Sequence, residues 1–232
     1  MSQITNDNGS SGALSDKAYQ SIRQMVLEYA IPRGKRISEM KLGQQLGISR
    51  TPVREAIQRL AREGLLVTRP SSGTYVVEPA SHEVHDIYEV RLAIESMTAA
   101  KAARRMKPAD IRQMQKYVKQ MRNAIHAFRK TGDSVITGKL LLDFHTADQA
   151  FHDLILQVSG NDFAKTIVSQ AHVRQYVFGQ QSHHRDLHHL SQVLLFHTRI
   201  ARAIAKRDAR RSKQMMAKHI RQSMNDALVQ IR

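Results

Sequence analysis

The sequence predicts a mainly α chain, with an N-terminal winged helix-turn-helix followed by a C-terminal all-α helical bundle. Apolar residues fall at helical spacing in three consecutive segments near the N-terminus. Two short strand-like runs around a Gly-containing turn come next. From Glu83 onward the pattern is helical throughout, with Pro108 the only proline beyond Pro79.

The start, Met1 to Ala13, is polar and contains Gly and Ser, so residues 1–14 are expected to form a flexible tail. Ser15 to Ala30 carries Ala18, Ile22, Met25, Val26 and Tyr29 as one helical stripe and stops before Pro32 and Gly34. After a loop over Ile31 to Ile37, Ser38 opens a short helix with Met40, Leu42 and Leu46, and Gly47 closes it. Ser49 or Thr51 can cap the third helix. Pro52 suits its first turn, and Val53, Ile57 and Leu60 turn one apolar stripe toward the other two helices. Gly64 ends it. Leu65 to Thr68 reads as a strand, Arg69 to Gly73 as a turn and Thr74 to Val77 as the returning strand, which together make the wing of a domain over 15–78. Residues 79–232 break at Lys107-Pro108, Thr131-Gly132-Asp133, Ser159-Gly160-Asn161, Gly179 to His184 and Arg207-Asp208, giving about six helices.

Composition narrows the chemistry. With 232 residues and 41% hydrophobic content the chain can bury packed cores. The absence of cysteine excludes disulfides, thiolate metal sites and a Cys nucleophile, which leaves 12 histidines for ligand or acid/base work. No run approaches the roughly 18 to 20 apolar residues of a membrane span, and the start lacks a signal-peptide core, so a cytoplasmic protein with no membrane partner is expected. The net charge of +16 points to an anionic partner, nucleic acid before membrane surface. Ser15 to Glu78 holds 11 Lys and Arg against 6 Asp and Glu, and Pro79 onward 25 against 13, so most of the excess lies outside the winged segment. With 5% aromatics and no Trp there is neither a base-stacking cluster nor an apolar interfacial helix to favour an RNA or membrane binder.

Two constellations stand out. Arg50 and Arg54 lie four apart on the third helix, on a face away from Val53, Ile57 and Leu60. There they can bind guanine or phosphate, or simply solvate the helix. Arg36, Lys41, Thr51, Arg69, Ser72 and Gly73 are candidates for backbone or minor-groove contacts. In the helical half, Asp148 and His152 leave one helix face at i and i+4, and His197 and His219 lie on or beside apolar stripes. Three imidazoles and one carboxylate suit a divalent ion, zinc first, with nickel, manganese or iron as alternatives. Ordinary core or surface histidines fit the same spacing. His145 reads as a flanking residue, and His183, His184, His188 and His189 as a solvated helix start.

Ser49-Arg50-Thr51-Pro52-Val53-Arg54-Glu55-Ala56 and Glu63-Gly64-Leu65-Leu66, with Ile37-Ser38-Glu39 and the Gly73 wing, closely resemble the DNA-binding domain of the GntR family of bacterial regulators. The resemblance implies that Arg50 and Arg54 carry base and phosphate contacts and that Gly73 lets the wing tip approach the groove. Met40 departs from the Arg or Glu common at its slot, and Lys41 takes over part of the phosphate role. Asp148-Gln149-Ala150-Phe151-His152, Ser159-Gly160-Asn161, Phe196-His197, Ala203-Ile204-Ala205-Lys206-Arg207-Asp208-Ala209 and Met216-Ala217-Lys218-His219 resemble the FCD effector domain of the FadR subfamily. By that likeness Asp148, His152, His197 and His219 hold a divalent ion at the floor of a pocket, with Phe196 standing where an acidic residue is often found. Arg91, in Glu89-Val90-Arg91-Leu92-Ala93-Ile94-Glu95, matches a position that commonly faces the pocket and can grip a small carboxylate effector; an interhelical ion pair is the alternative. A homodimer on an inverted-repeat operator in double-stranded DNA is the expected assembly. A metal-dependent hydrolase is the rival from another class, but no carboxylate is identifiable as a general base beside the ligands.

Overall fold

The computed structural model describes residues 8–27, 30–78, 80–179 and 186–229. The first compact unit is built from α1 (Asn8–Leu27), α2 (Glu39–Leu46) and α3 (Arg50–Arg62), with strands β1 (Arg36–Ile37), β2 (Leu66–Arg69) and β3 (Gly73–Val76). α1 lies along α3, and Ile22, Val26, Val53, Ala56 and Leu60 are buried there. At the edge of this core the Tyr19 hydroxyl donates to Glu63 at 2.9 Å, and the Arg59 guanidinium sits 3.8 Å over the Tyr19 ring. α2 is capped as its sequence requires: Ser38 Oγ accepts from Lys41 N–H, and Gly47 takes the left-handed conformation at φ 66°. Ser49 is the N-cap of α3, although its side chain makes no capping bond.

The wing is a hairpin in which Leu66 pairs with Val76 and Arg69 with Gly73. The expected strands are found within a residue. Two features differ from expectation. α1 begins at Asn8, inside the segment expected to be a tail; residues 1–7 lie outside the described residues. Arg36 and Ile37, expected in a loop, form β1, which pairs with Tyr75 and Thr74 and gives a sheet of order β1-β3-β2. Two residues are too few to show alternation, so this strand exists only because β3 offers it an edge.

The second unit is helical: α4 (Ser81–Arg105), α5 (Pro108–Thr131), α6 (Gly138–Ser159), α7 (Asp162–Gly179), α8 (Leu187–Ala205) and α9 (Ala209–Val229). Most of the breaks fall where Gly and Pro placed them, with Pro108 in the first turn of α5 and Gly132 and Gly160 left-handed after α5 and α6. The break expected over Gly179 to His184 begins where α7 ends, but residues 180–185 lie outside the described residues. α4 packs along α9 and α6, while α5 packs on α6 and α8. The core runs through Met114, Met121 and Phe128 of α5, Phe151 and Ile155 of α6, Ile200 and Ile204 of α8, and Met216 and Ile220 of α9.

Leu60 is fully buried in the first unit, so Leu60→Ala is expected to destabilise that unit by about 2–5 kcal/mol. Urea unfolding monitored on that domain checks it.

Candidate nucleic-acid interface and metal centre

On the first unit, α3 presents Arg50 and Arg54 to solvent, with side chains 65% and 54% exposed, while Val53, Ile57 and Leu60 point inward. Neither arginine is free. Arg54 Nε and Nη2 donate to the Glu39 carboxylate at 3.0–3.2 Å, and Arg50 Nη2 reaches the same carboxylate at 3.5 Å. The Arg54 hydrogen bonds hold Glu39 below the usual carboxylate range despite its partial burial. The pairing of Glu39, in the first turn of α2, with these arginines was not visible in the sequence, because they lie 11 and 15 residues away.

A groove of about 850 Å³ runs between α2, α3 and the wing, and it gathers Arg36, Lys41, Arg50, Arg54 and Gly73. Thr51 is exposed in the first turn of α3. In the wing, Arg69 lies 4.9 Å over the Tyr75 ring, and the Tyr75 hydroxyl is 2.7 Å from Ser72 Oγ. Gly73 has φ 114°, and a Cβ there would come within 2.8 Å of Arg36 Nε, so this position both needs glycine and seats the Arg36 side chain. Met40 is exposed and offers no polar group.

In the second unit, Asp148 and His152 of α6, His197 of α8 and His219 of α9 converge, with one ligand atom from each within 4.8 Å of the others. The three histidines are buried, and the Asp148 side chain is 29% exposed. His197 Nδ1 is 2.8 Å from the Val193 carbonyl, which can only accept, so Nδ1 donates there and Nε2 is the nitrogen turned to the cluster. That Nε2 faces His152 Nε2 at 3.3 Å and Asp148 Oδ1 at 3.0 Å. Two ligands about 2.0–2.1 Å from one tetrahedral zinc ion stand about 3.3 Å apart, so these spacings suit a single divalent ion. Phe151 packs edge-on against His197 at 4.7 Å, and Phe196, at the slot expected to weaken the outer shell, lies 5.7 Å from the His219 ring. Burial pushes the Asp148 carboxyl up, but His197, His152 and His219 hold it well below its ordinary value. Burial, reinforced by the positive charge that His197 and His152 can carry, drives His219 well down, which favours the neutral ring that can ligate.

Glu95 of α4 was not singled out from the sequence as a partner of the ligands, yet it sits behind this cluster. Its Oε2 is 2.6 Å from His152 Nδ1, and its Oε1 is 2.6 Å from Arg91 Nε and 3.3 Å from His172 Nε2. Burial alone would raise its pKa; Arg91, His152 and His172 instead hold it well below the ordinary range, so it is an engaged anion rather than a proton acceptor in waiting. Arg91 is buried, and its ion pair with Glu95 runs within α4 at i and i+4, where an interhelical pair was the expected alternative. Tyr88, beneath the Arg91 guanidinium, is pushed up to about 12 chiefly by burial. The i, i+4 spacing of Arg91 and Glu95 was visible in the sequence; the approach of His172, 77 residues on, was not. His145 stays outside the ligand cluster. His188 is exposed at the start of α8 and His189 pairs with Asp226 at 3.5 Å, while His183 and His184 lie outside the described residues.

A winged helix-turn-helix joined in one chain to a helical domain with a ligand-rich centre defines a DNA-binding transcriptional regulator rather than an enzyme. The chain belongs to the gntR family of bacterial regulatory proteins: residues 14–76 match that family's domain and residues 86–222 match the FCD domain. It is 27% identical over 222 residues to the HTH-type transcriptional repressor RspR of Escherichia coli K12, covering 94% of this chain and 90% of the relative. It is 25% identical to the HTH-type transcriptional regulator YdhC of Bacillus subtilis, over 87% of this chain and 85% of that one. Its fold is that of E. coli McbR/YncC, with a TM-score of 0.77 at 20% identity over 94% of this chain and 99% of that one. A putative GntR regulator from Rhodococcus sp. RHA1 superposes with a TM-score of 0.75 at 17% identity, over 94% of this chain and 99% of that one. Among the described residues no helix is long and apolar enough to cross a membrane.

Gly73→Ala is expected to destabilise the first unit by about 1–3 kcal/mol, through a strained φ and displacement of Arg36. Thermal melting of the variant checks it.

Proposed function

We propose that this regulator is a homodimer which reads an inverted-repeat operator in duplex DNA and is controlled by a small organic acid bound at a divalent metal centre in its FCD domain. The observation that carries the effector half is the meeting of two imidazole nitrogens and a carboxylate oxygen at 3.0–3.3 Å inside a helical core. With both ring nitrogens deprotonated, such a set offers only lone pairs and calls for a cation. His152, His197, His219 and Asp148 would hold the ion, zinc first, with nickel, manganese or iron as alternatives. When bound, the ion supplies Lewis-acid coordination for a carboxylate.

This chain's own groups do the rest. Asp148, the most exposed of the four ligands, is where an acid would enter, and Arg91, buried on the Glu95 that touches His152, would offer positive charge to it. The domain can transmit the event only if the acid prefers one of two arrangements of the dimer.

For DNA, α3 enters the major groove with Arg50 and Arg54 toward base edges and phosphate, and Thr51 joins them at the start of the helix. Lys41, Arg36 and the wing residues Arg69, Ser72 and Gly73 hold the flanking backbone or minor groove. The shared groove that gathers five of these residues supports this division.

Two measurements test the reading. Mobility-shift titrations at fixed salt should show Arg50→Ala combined with Arg54→Ala losing at least about 100-fold in operator affinity, with a shallower salt dependence. Undiminished binding would discard α3 as the reading helix. Elemental analysis of untagged protein should show about one divalent ion per chain in the wild type and none in Asp148→Ala. A panel of short carboxylic acids should raise the melting temperature only of the metal-loaded wild type.

A further inference from the structure

His152 belongs to two groups of convergent acceptors: one with Asp148, His197 and His219, the other with Glu95 and His172. The second group does not suit an ion. His152 Nδ1 and Glu95 Oε2 are 2.6 Å apart, closer than the roughly 3.3 Å between two ligands of one tetrahedral zinc. Arg91 Nε already brings positive charge to Glu95 Oε1 at 2.6 Å. Neither His152 Nδ1 nor Glu95 Oε2 has another hydrogen-bonding partner among the described residues, and both are fully buried. The remaining role for a carboxylate at this distance is to take a proton shared with the ring.

We infer that Glu95 is the positioning residue of the metal centre: it fixes the proton of His152 on Nδ1 and so commits Nε2 to the ion. This rests on the metal reading above. The neighbouring ligand shows what the arrangement achieves, because His197 has its Nδ1 pinned by the Val193 carbonyl and its Nε2 turned to the same point, 3.3 Å from that of His152. Where His197 uses a neutral carbonyl, His152 uses an anion, which makes its Nε2 the more basic donor. Through its other oxygen Glu95 also holds Arg91 and His172, so one side chain sets both a metal ligand and the arginine proposed to meet the effector acid.

The experiment has two arms. In the first, long-range ¹⁵N–¹H correlation spectra of the metal-free wild-type chain at alkaline pH, where imidazoles are neutral, should show His152 protonated at Nδ1. A predominantly Nε2-protonated ring overturns the inference, and this arm depends on no variant folding. In the second, zinc affinity is measured by chelator competition for the wild type, Asp148→Ala and Glu95→Gln, with circular dichroism as the folding control. Glu95→Gln should bind zinc about 10- to 100-fold more weakly than the wild type. If Asp148→Ala loses zinc while folded Glu95→Gln keeps wild-type affinity, the inference falls and the metal reading stands. If the wild type binds zinc no better than Asp148→Ala, both fall.

Discussion

Four imidazoles and two carboxylates packed into the core of a helical domain impose a charge constraint that the rest of the domain has to satisfy. An apolar interior tolerates such groups only when every lone pair and every charge has an answer. Here the answers come in layers. Arg91 neutralises Glu95, Glu95 orders His152, and the Val193 carbonyl orders His197. The inner nitrogens are left facing one another, and a cation is the natural complement to them. The layers span helices far apart in sequence, with α6, α8 and α9 holding the inner set and α4 and α7 the outer, so the site exists only when these five are packed together. The apolar contacts of Phe151, Ile155, Ile200 and Ile220 that hold them also set the ligand spacing.

The first unit solves a different problem, holding flexible cations in place at a surface. Arg50 and Arg54 are tethered by a carboxylate on the neighbouring helix, Arg36 is seated against Gly73, and Arg69 lies on Tyr75. Each contact reduces the conformations a long side chain must lose on meeting a ligand. This cationic surface is therefore partly ordered before anything binds.

Much of this was legible in advance because it rests on local rules. Gly47, Gly132 and Gly160 marked helix ends, Ser38 a helix start, and the spacing of Val53, Ile57 and Leu60 told the buried face of α3 from the exposed one. Asp148 and His152 could be paired by the helical repeat. His197 and His219 could be joined to them only through a family likeness, since nothing local relates three separate helices. What escaped was of the same long-range kind: Glu39 against α3, Glu95 against His152 and His172, and a two-residue strand made by its neighbour. The helical start at Asn8 escaped for another reason, because Asn-Gly-Ser-Ser-Gly has the composition of a linker and weak helix propensity.

The tether on α3 also shapes how the groove greets a polyanion. With Glu39 between them, two guanidinium groups present the net charge of one, and a phosphate that approaches either of them meets a carboxylate at close range. Loose electrostatic capture of arbitrary duplex is thereby blunted. A base edge that offers good geometry can still draw an arginine away, because it supplies acceptors without the repulsion. On the proposed reading of α3, Glu39 would act as a toll on indiscriminate contact and tilt the protein toward searching lightly and holding firmly only where the sequence fits.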